Sequence, residues 1–262
     1  MNPSDHPFKF VTVLTSHNSA ALQWNIHPDL DVSAPLTFTV QMSQGTSEWE
    51  NVGSVVNNYI IMLSVIPYWG KVITKHFRVR LVDGDGATYY SNPIVLTQLW
   101  TRRDFLIAKE IARRYGKMLD KYTGEPGLLL KRKAWGVRCS ACQDTTWSQP
   151  NTSFCPNCYG TGFEGGYFSP VFYPIMADPN QKSWDRQEGT NDPRAGRSGL
   201  ALNVPVAEAK DLWIDTATGK RFEILSLQPV DTHRGAVLTV TVSMATLPPS
   251  DPAYEVEING TT

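Results

Sequence analysis

The sequence is poor in the features on which catalytic and membrane chemistry usually rest. Nowhere do about 18 apolar residues run together, the length a membrane-spanning helix needs. A G-x-S-x-G elbow, a P-loop, an H-E-x-x-H pair and a dinucleotide-binding glycine pattern are all missing. The five histidines, His6, His17, His27, His76 and His233, are scattered, with no obvious cysteine or serine nucleophile beside them. Asp178, Asp185, Asp192 and Asp211 are carboxylates that could be grouped into an acid–base set. Most sit in a polar stretch, where carboxylates serve to solvate. Together these absences argue against an enzyme. The opening residues do not read as a secretory signal. No oxidising compartment is therefore expected, and the glycosylation matches at Asn151 and Asn259 are read as chance.

Cysteine is also scarce, and its placement is informative. All four cysteines of the 262 residues fall in Cys139-Ser-Ala-Cys142, twelve residues, then Cys155-Pro-Asn-Cys158. Two such pairs can bring four thiolates to one tetrahedral point, which predicts a structural Zn²⁺ held by Cys139, Cys142, Cys155 and Cys158. Four thiolates fill the shell and leave no position for water, so the expected metal folds the segment and does no chemistry. The second pair continues as Cys158-Tyr-Gly-Thr-Gly162, and CPNCYGTG resembles one C-x-x-C-x-G-x-G repeat of the zinc domain of DnaJ-type chaperones. The likeness is confined to one repeat. The first pair lacks both glycines and no His-Pro-Asp tripeptide occurs, so the segment is read as a solitary zinc knuckle or ribbon.

The net charge of −1 conceals an uneven distribution. Residues 1–98 carry five basic and seven acidic side chains, residues 99–138 eleven and four, and residues 139–262 eight and fourteen. A +7 middle therefore lies between acidic flanks. Apolar content of 41% and a length of 262 residues suffice for two or three compact units.

Short runs with β-branched or aromatic residues at period two fill residues 8–97: Phe8–Leu14, Ala20–Trp24, Leu36–Met42, Tyr59–Leu63, Lys75–Val82 and Ile94–Thr97. Asp83-Gly-Asp-Gly86 reads as a hairpin turn. The pattern predicts a β-sandwich over 1–97. It also resembles the fibronectin type III family. Leu22-Gln-Trp24 is similar to that family's strand-B tryptophan motif, Phe38-Thr-Val-Gln41 to its strand C, Trp49-Glu-Asn-Val52 to strand C′, and Phe77-Arg-Val-Arg80 to strand F. Lys75 stands where the family usually has its corner tyrosine. The resemblance implies a docking or spacing domain.

Thr101-Arg-Arg-Asp104 has the form of a capping box, and helix formers follow until Gly124-Glu-Pro126, which predicts a helical connector over 98–130. Trp100, Ile107, Ile111, Tyr115, Met118 and Tyr122 recur at three- and four-residue steps as one expected buried stripe. Glu110, Arg113, Arg114, Lys117 and Lys121 form a second face. With Lys131-Arg-Lys133 and Arg138 nearby, Arg113, Arg114 and Lys117 are candidates for contact with DNA or with an acidic partner.

Residues 131–262 are expected to form a zinc-stapled β-domain. Gly165–Met176 reads as an edge strand with an open side, because Pro170 and Pro174 cannot donate to a ladder. A polar loop covers 178–200, Leu212–Leu225 reads as a hairpin around Ala217-Thr-Gly219, and Gly235–Met244 as a further strand. The fold class is therefore mainly β: a fibronectin type III-like β-sandwich, a connecting α-helix, a four-cysteine zinc knuckle or ribbon and a small C-terminal β-domain.

Asp211-Leu-Trp-Ile-Asp215, Gly219-Lys-Arg-Phe-Glu-Ile224, Gly235-Ala-Val-Leu238 and Leu247-Pro-Pro-Ser-Asp251 resemble the C-terminal region of virion structural proteins of tailed bacteriophages. The pairing of a zinc site with such hairpins is similar to proteins of the neck or head-to-tail connection. The resemblance implies a ring-forming connector of six or twelve copies, contacting other neck and tail proteins within a virion assembled in the host cytoplasm, with no membrane contact. A tail or baseplate protein is an alternative within that class. A nucleic-acid-binding zinc protein is the alternative outside it, although residues 139–164 contain no lysine or arginine to grip a phosphate backbone.

Overall fold

The computed structural model describes residues 7–15, 20–43, 48–63, 75–95, 101–142, 155–177 and 196–258, and the protein is mainly β. It divides into two compact units: residues 1–106 with 133–168, and residues 107–132 with 169–262. The chain thus enters the second unit, leaves it at Arg132 and returns at Ser169.

In the first unit the alternating runs become strands as their period predicts. β1 (Phe8–Thr15), β2 (Ala20–Ile26) and β5 (Ile60–Leu63) make one antiparallel sheet. β4 (Glu50–Val56), β3 (Thr37–Ser43), β6 (His76–Val82) and β7 (Thr88–Tyr90) make the other, with β8 (Ile94–Val95) also on β6. This is the strand order of a fibronectin type III-like sandwich. Alternation along β6 buries Phe77, Val79 and Leu81 and leaves His76, Arg78 and Arg80 on the other face. Trp24 is 1% exposed, tilts against Phe38 at a centroid distance of 5.1 Å and donates its indole N–H to the Asn58 carbonyl at 3.1 Å. The Asp83–Gly86 turn forms as expected, with Asp83 Oδ1 accepting from the Asp85 and Ala87 N–H groups.

The boundaries of this unit differ from the expected 1–97. Residues 133–168 join the sandwich because two of their aromatic side chains complete its core. Trp135 packs edge-on against Phe38 at 5.4 Å, Phe168 tilts against Tyr59 at 5.1 Å, and the two newcomers touch each other at 4.8 Å. Arg138 adds a hydrogen bond to the Pro28 carbonyl at 3.0 Å and an ion pair with Asp29. The expected cut between a free-standing sandwich and a domain running from 131 to 262 therefore does not follow the packing.

Helix α1 (Arg102–Met118) starts where the capping box places it: Thr101 N–H and hydroxyl both donate to Asp104 Oδ2, at 3.0 and 2.7 Å. It ends in a π-helical turn, Leu119–Thr123, before Gly124. Its buried side is not the expected stripe. Ala108, Ala112, Gly116 and Leu119 are buried, whereas Ile107 is 37% and Tyr122 81% exposed. Small residues at four-residue steps let a neighbouring element approach closely, and hydropathy carries no signal for them. Trp100 lies outside the described residues. No helix among the described residues is long and apolar enough to cross a membrane.

The second unit is built on a seven-stranded antiparallel sheet. Its members are β9 (Gly127–Leu130), β10 (Val171–Phe172), β11 (Met176–Ala177), β12 (Gly196–Leu202), β13 (Leu212–Asp215), β14 (Arg221–Pro229) and β17 (Thr239–Thr246), in the order β10-β9-β13-β14-β17-β12-β11. A two-residue hairpin, β15 (Thr232–His233) with β16 (Ala236–Val237), stands apart from it. The two end strands are neighbouring pieces of one segment, 171–177. That segment pairs with residues 125–129 in a single register and then with Leu200 and Gly199. The sheet therefore curls until its edges meet on one stretch of chain. The open edge expected at 165–176 is absent: Pro170 lies just outside the paired stretch, and Pro174 falls within the pairing with 125–129, between Tyr173 and Ile175, whose N–H groups donate to the Gly127 and Glu125 carbonyls and leave no donor demanded of the proline. The polar stretch also ends earlier than expected, at Gly196, where β12 begins; residues 178–195 lie outside the described residues.

Curling encloses Leu129, Tyr173, Ile175, Trp213, Phe222, Ile224, Val240, Val242 and Met244 as one core. Each such side chain contributes roughly 1.5–3 kcal/mol of transfer free energy. Trp213 donates its indole N–H to the Tyr173 carbonyl at 2.8 Å, tying the bridging segment to the central strand. Gly127 is required opposite it, since a Cβ there would lie 2.2 Å from Trp213 Nε1. The hairpin around Ala217-Thr-Gly219 forms as expected. Asp215 Oδ1 accepts from Ala217 N–H at 2.8 Å and Oδ2 accepts from the Thr218 hydroxyl at 2.6 Å.

One charged pair is sealed into this unit. Lys131 Nζ lies 3.2 Å from Asp211 Oδ2 and 3.2 Å from Glu208 Oε2, and also donates to the Val206 carbonyl at 3.3 Å. Asp211 accepts from the Arg132 and Glu208 N–H groups at 2.9 and 2.7 Å. Burial pushes the Asp211 carboxyl above its ordinary range, and Lys131 with the two N–H donors offsets part of that. Asp211→Ala strands the buried ammonium and is expected to cost about 3–5 kcal/mol, read by urea unfolding of the full chain. The double change Lys131→Met with Asp211→Leu should recover most of that loss. A single-variant cost under about 1 kcal/mol, on the scale of an exposed pair, contradicts this account.

Candidate metal centre

The loop geometry of residues 133–168 follows from its turns. Three backbone bonds, Lys133 N–H to Gly166 O, Glu164 N–H to Val137 O and Cys139 N–H to Gly162 O, each 2.9 Å, lay the two arms side by side. The first arm carries Cys139 and Cys142 on one turn. In the second, Tyr159 N–H donates to Cys155 O at 2.7 Å, and Thr161 donates to Cys158 O through its N–H at 2.9 Å and its hydroxyl at 2.7 Å, closing the turn after the second pair. Gly160 and Gly162 have φ of +76° and +83°, a region that costs a side chain and suits glycine. The glycines after Cys158 are thus there for the turn, as their spacing predicts. Residues 143–154, between the pairs, lie outside the described residues.

These turns bring the four cysteines together. Their sulfur atoms all lie within 4.8 Å of one another, and every one of the residues is buried. Sγ of Cys139 is 3.8 Å from Sγ of Cys155, and Sγ of Cys142 is 3.2 Å from Sγ of Cys158. A tetrahedron with metal–sulfur arms of about 2.3 Å has edges of about 3.8 Å, so the spacing suits a four-sulfur metal site. A disulfide needs about 2.05 Å, and all four cysteines are free. Burial pushes the Cys139 and Cys142 thiols up. Cys155 is subject to the same burial, but the Asn157 N–H and the Cys142 thiol outweigh it and bring the group down to about 7. A buried cluster of thiols with one already near ionisation at neutral pH favours a cation that deprotonates the rest.

The basic face of α1 is smaller than the sequence suggests. Glu110 accepts from Arg113 through Nε and Nη2, both at 2.7 Å, and from Arg114 Nε at 2.8 Å. Hydrogen bonds from both guanidiniums hold the Glu110 carboxyl down at about 2. Arg113 and Arg114 therefore share one counter-charge, while Lys117 and Lys121 are exposed. The other expected contributors are also engaged: Lys131 in the sealed pair, Lys133 on the Glu164 carbonyl at 2.5 Å, and Arg138 on Pro28 and Asp29. Of the four carboxylates considered for acid–base work, Asp211 serves the Lys131 pair, and Asp178, Asp185 and Asp192 lie outside the described residues.

The cluster is expected to take up one metal ion per chain. Cobalt(II) added to the reduced protein should develop the absorption of a tetrahedral tetrathiolate with an end point at one equivalent, and Cys158→Ser should abolish that end point. Because uptake displaces thiol protons, the metal should be retained at neutral pH and released on acidification. An end point far below one equivalent, or a Cys158→Ser protein that titrates normally, contradicts the assignment.

No family model matches the chain, and no curated protein matches it. Among solved structures, the pectate lyase Pel3 from Pectobacterium carotovorum aligns over 36% of this chain and 28% of that one, at 15% identity and a TM-score of 0.27. At that level the likeness bears on neither fold nor activity, and this chain spans little more than a quarter of the lyase's length.

Proposed function

We propose that the protein is a structural component of a tailed-phage particle, a ring-forming neck or head-to-tail connector whose fibronectin-like sandwich faces outward. The observation that carries this reading is the pattern over 211–251, which resembles connector-region virion proteins, joined to a four-cysteine cluster with no room for a water ligand. A closed metal shell can staple a fold and cannot activate a substrate, so the metal is read as structural zinc and the chain as a non-enzyme. Zinc is chosen because four thiolates at tetrahedral spacing suit a d¹⁰ ion with no geometric preference of its own.

Assembly in six or twelve copies follows from the same reading: closed cyclic rings are built from one repeated heterologous interface. The exposed Lys117 and Lys121 on α1 are the charges left to meet an acidic neighbour or the DNA passage, with Arg113 and Arg114 tempered by Glu110. The nucleic-acid-binding alternative is weakened by that pairing.

Mass spectrometry of purified particles, with heads and tails separated, tests the assignment. The chain is expected in the particle, at a copy number of six or twelve against the major capsid protein, and Lys117→Glu with Lys121→Glu should impair assembly while the protomer keeps its circular dichroism. Absence of the chain from the particle contradicts the proposal.

A further inference from the structure

The first unit contains a cavity of about 270 Å³, walled by Leu36, Val137, Trp135 and Phe168, with Asn57, Lys133 and Glu164 as its polar residues. Its volume is near the lower end of the range for small-ligand sites, about 300–1,000 Å³, so it suits a short or single-ring molecule and excludes a polymer.

One of the wall residues carries hydrogen-bond donors that the protein does not use up. The Lys133 ammonium has three N–H donors. It spends one on the Glu164 carbonyl and sits 5.8 Å from the centre of the Phe168 ring, and no carboxylate pairs with it among the described residues. Burial pushes this amine below its ordinary range, with only the Glu164 charge opposing, so the charged form is poorly compensated as it stands. Trp135 is 3% exposed and lines the same pocket. Lys133 and Trp135 are two residues apart and both meet the Phe168 ring, so the ammonium and the indole belong to one pocket.

We infer that this cavity is a binding site for a small organic monocarboxylate, its carboxylate held by Lys133 and its apolar body seated against Leu36, Val137 and Phe168. A carboxylate supplies acceptors that the ammonium lacks, and the apolar walls give a ring or short aliphatic chain a place out of water. Asn57 keeps the wall in position, its side-chain oxygen accepting from Leu36 N–H at 2.9 Å. The site is separate from the cysteine cluster, and it stands whether or not the chain is a particle protein.

Titration of the ¹⁵N-labelled full chain with benzoate, followed in the tryptophan indole region, tests the inference. The chain has eight tryptophans, and the Trp135 signal is the one lost in Trp135→Phe. Benzoate is expected to shift that signal saturably, benzamide at the same concentrations to leave it in place, and Lys133→Met to weaken benzoate binding at least tenfold with the remaining indole signals unmoved. Hexanoate should compete with benzoate. The inference is overturned if neither acid shifts the Trp135 signal up to about 10 mM, where even millimolar affinity would register. It is equally overturned if benzamide binds as well as benzoate, a comparison that needs no variant, or if a folded Lys133→Met protein binds benzoate unchanged.

Discussion

Four sulfur atoms within 4.8 Å of one another are the constraint on which residues 133–168 depend. A segment this short, under about 40 residues, cannot bury enough apolar surface to hold itself together and ordinarily needs a metal, disulfides or a partner. Among the described residues, a ladder of three backbone bonds joins its two arms. Fixing the cysteine pairs fixes the arms, and fixing the arms places Trp135 and Phe168. Those two rings then close over Phe38 and Tyr59, so the sandwich core inherits an order that begins at the cysteine cluster. The cavity next to Trp135 is a by-product of the same placement.

The second unit solves a different problem with different means. A seven-stranded sheet leaves two edges, and here one segment serves both, because residues 171–177 pair first with 125–129 and then with 199–200. Closure allows a continuous core around Trp213 and removes the hazard of an unpaired edge. The cost is that polar groups become trapped, and the sealed Lys131–Asp211 pair is satisfied by its own contact, by two backbone N–H donors and by the half-exposed Glu208 carboxylate at its rim. A buried pair of this kind gives little net stability, but it penalises any arrangement in which residues 131–132 and 206–211 separate.

Much of this was legible in the sequence, for physical reasons. Metal-ligand spacing is set by the ion, so Cys139, Cys142, Cys155 and Cys158 announced their cluster without help from the fold. Period-two alternation around Trp24 and along 76–82 is set by the pleat, and it marked the sandwich strands correctly. What sequence could not carry was packing between distant stretches. Trp135 and Phe168 read as part of a later domain because nothing local says that an aromatic ring will be claimed by Phe38, about a hundred residues earlier. The stripe on α1 was misplaced because Ala108, Ala112 and Gly116 are buried by virtue of being small, which leaves no trace in hydropathy. Pro170 and Pro174 suggested an open edge, and the pairings on either side of Pro174, too short to show alternation, hid the closure. Lys131 looked like surface charge because its partner, Asp211, counts as an ordinary acidic residue until it is placed.

The central claim is that metal at the four cysteines organises residues 133–168 and, through them, completes the sandwich. Amide hydrogen exchange of the full chain, with metal bound and after chelation, tests this most directly. The account predicts that chelation abolishes protection at Lys133, Cys139, Tyr159 and Thr161, and lowers it at the sandwich strands around Phe38 and Tyr59, while the amides of β13, β14 and β17 keep theirs. Unchanged protection at Cys139 and Thr161 after complete metal removal would contradict it.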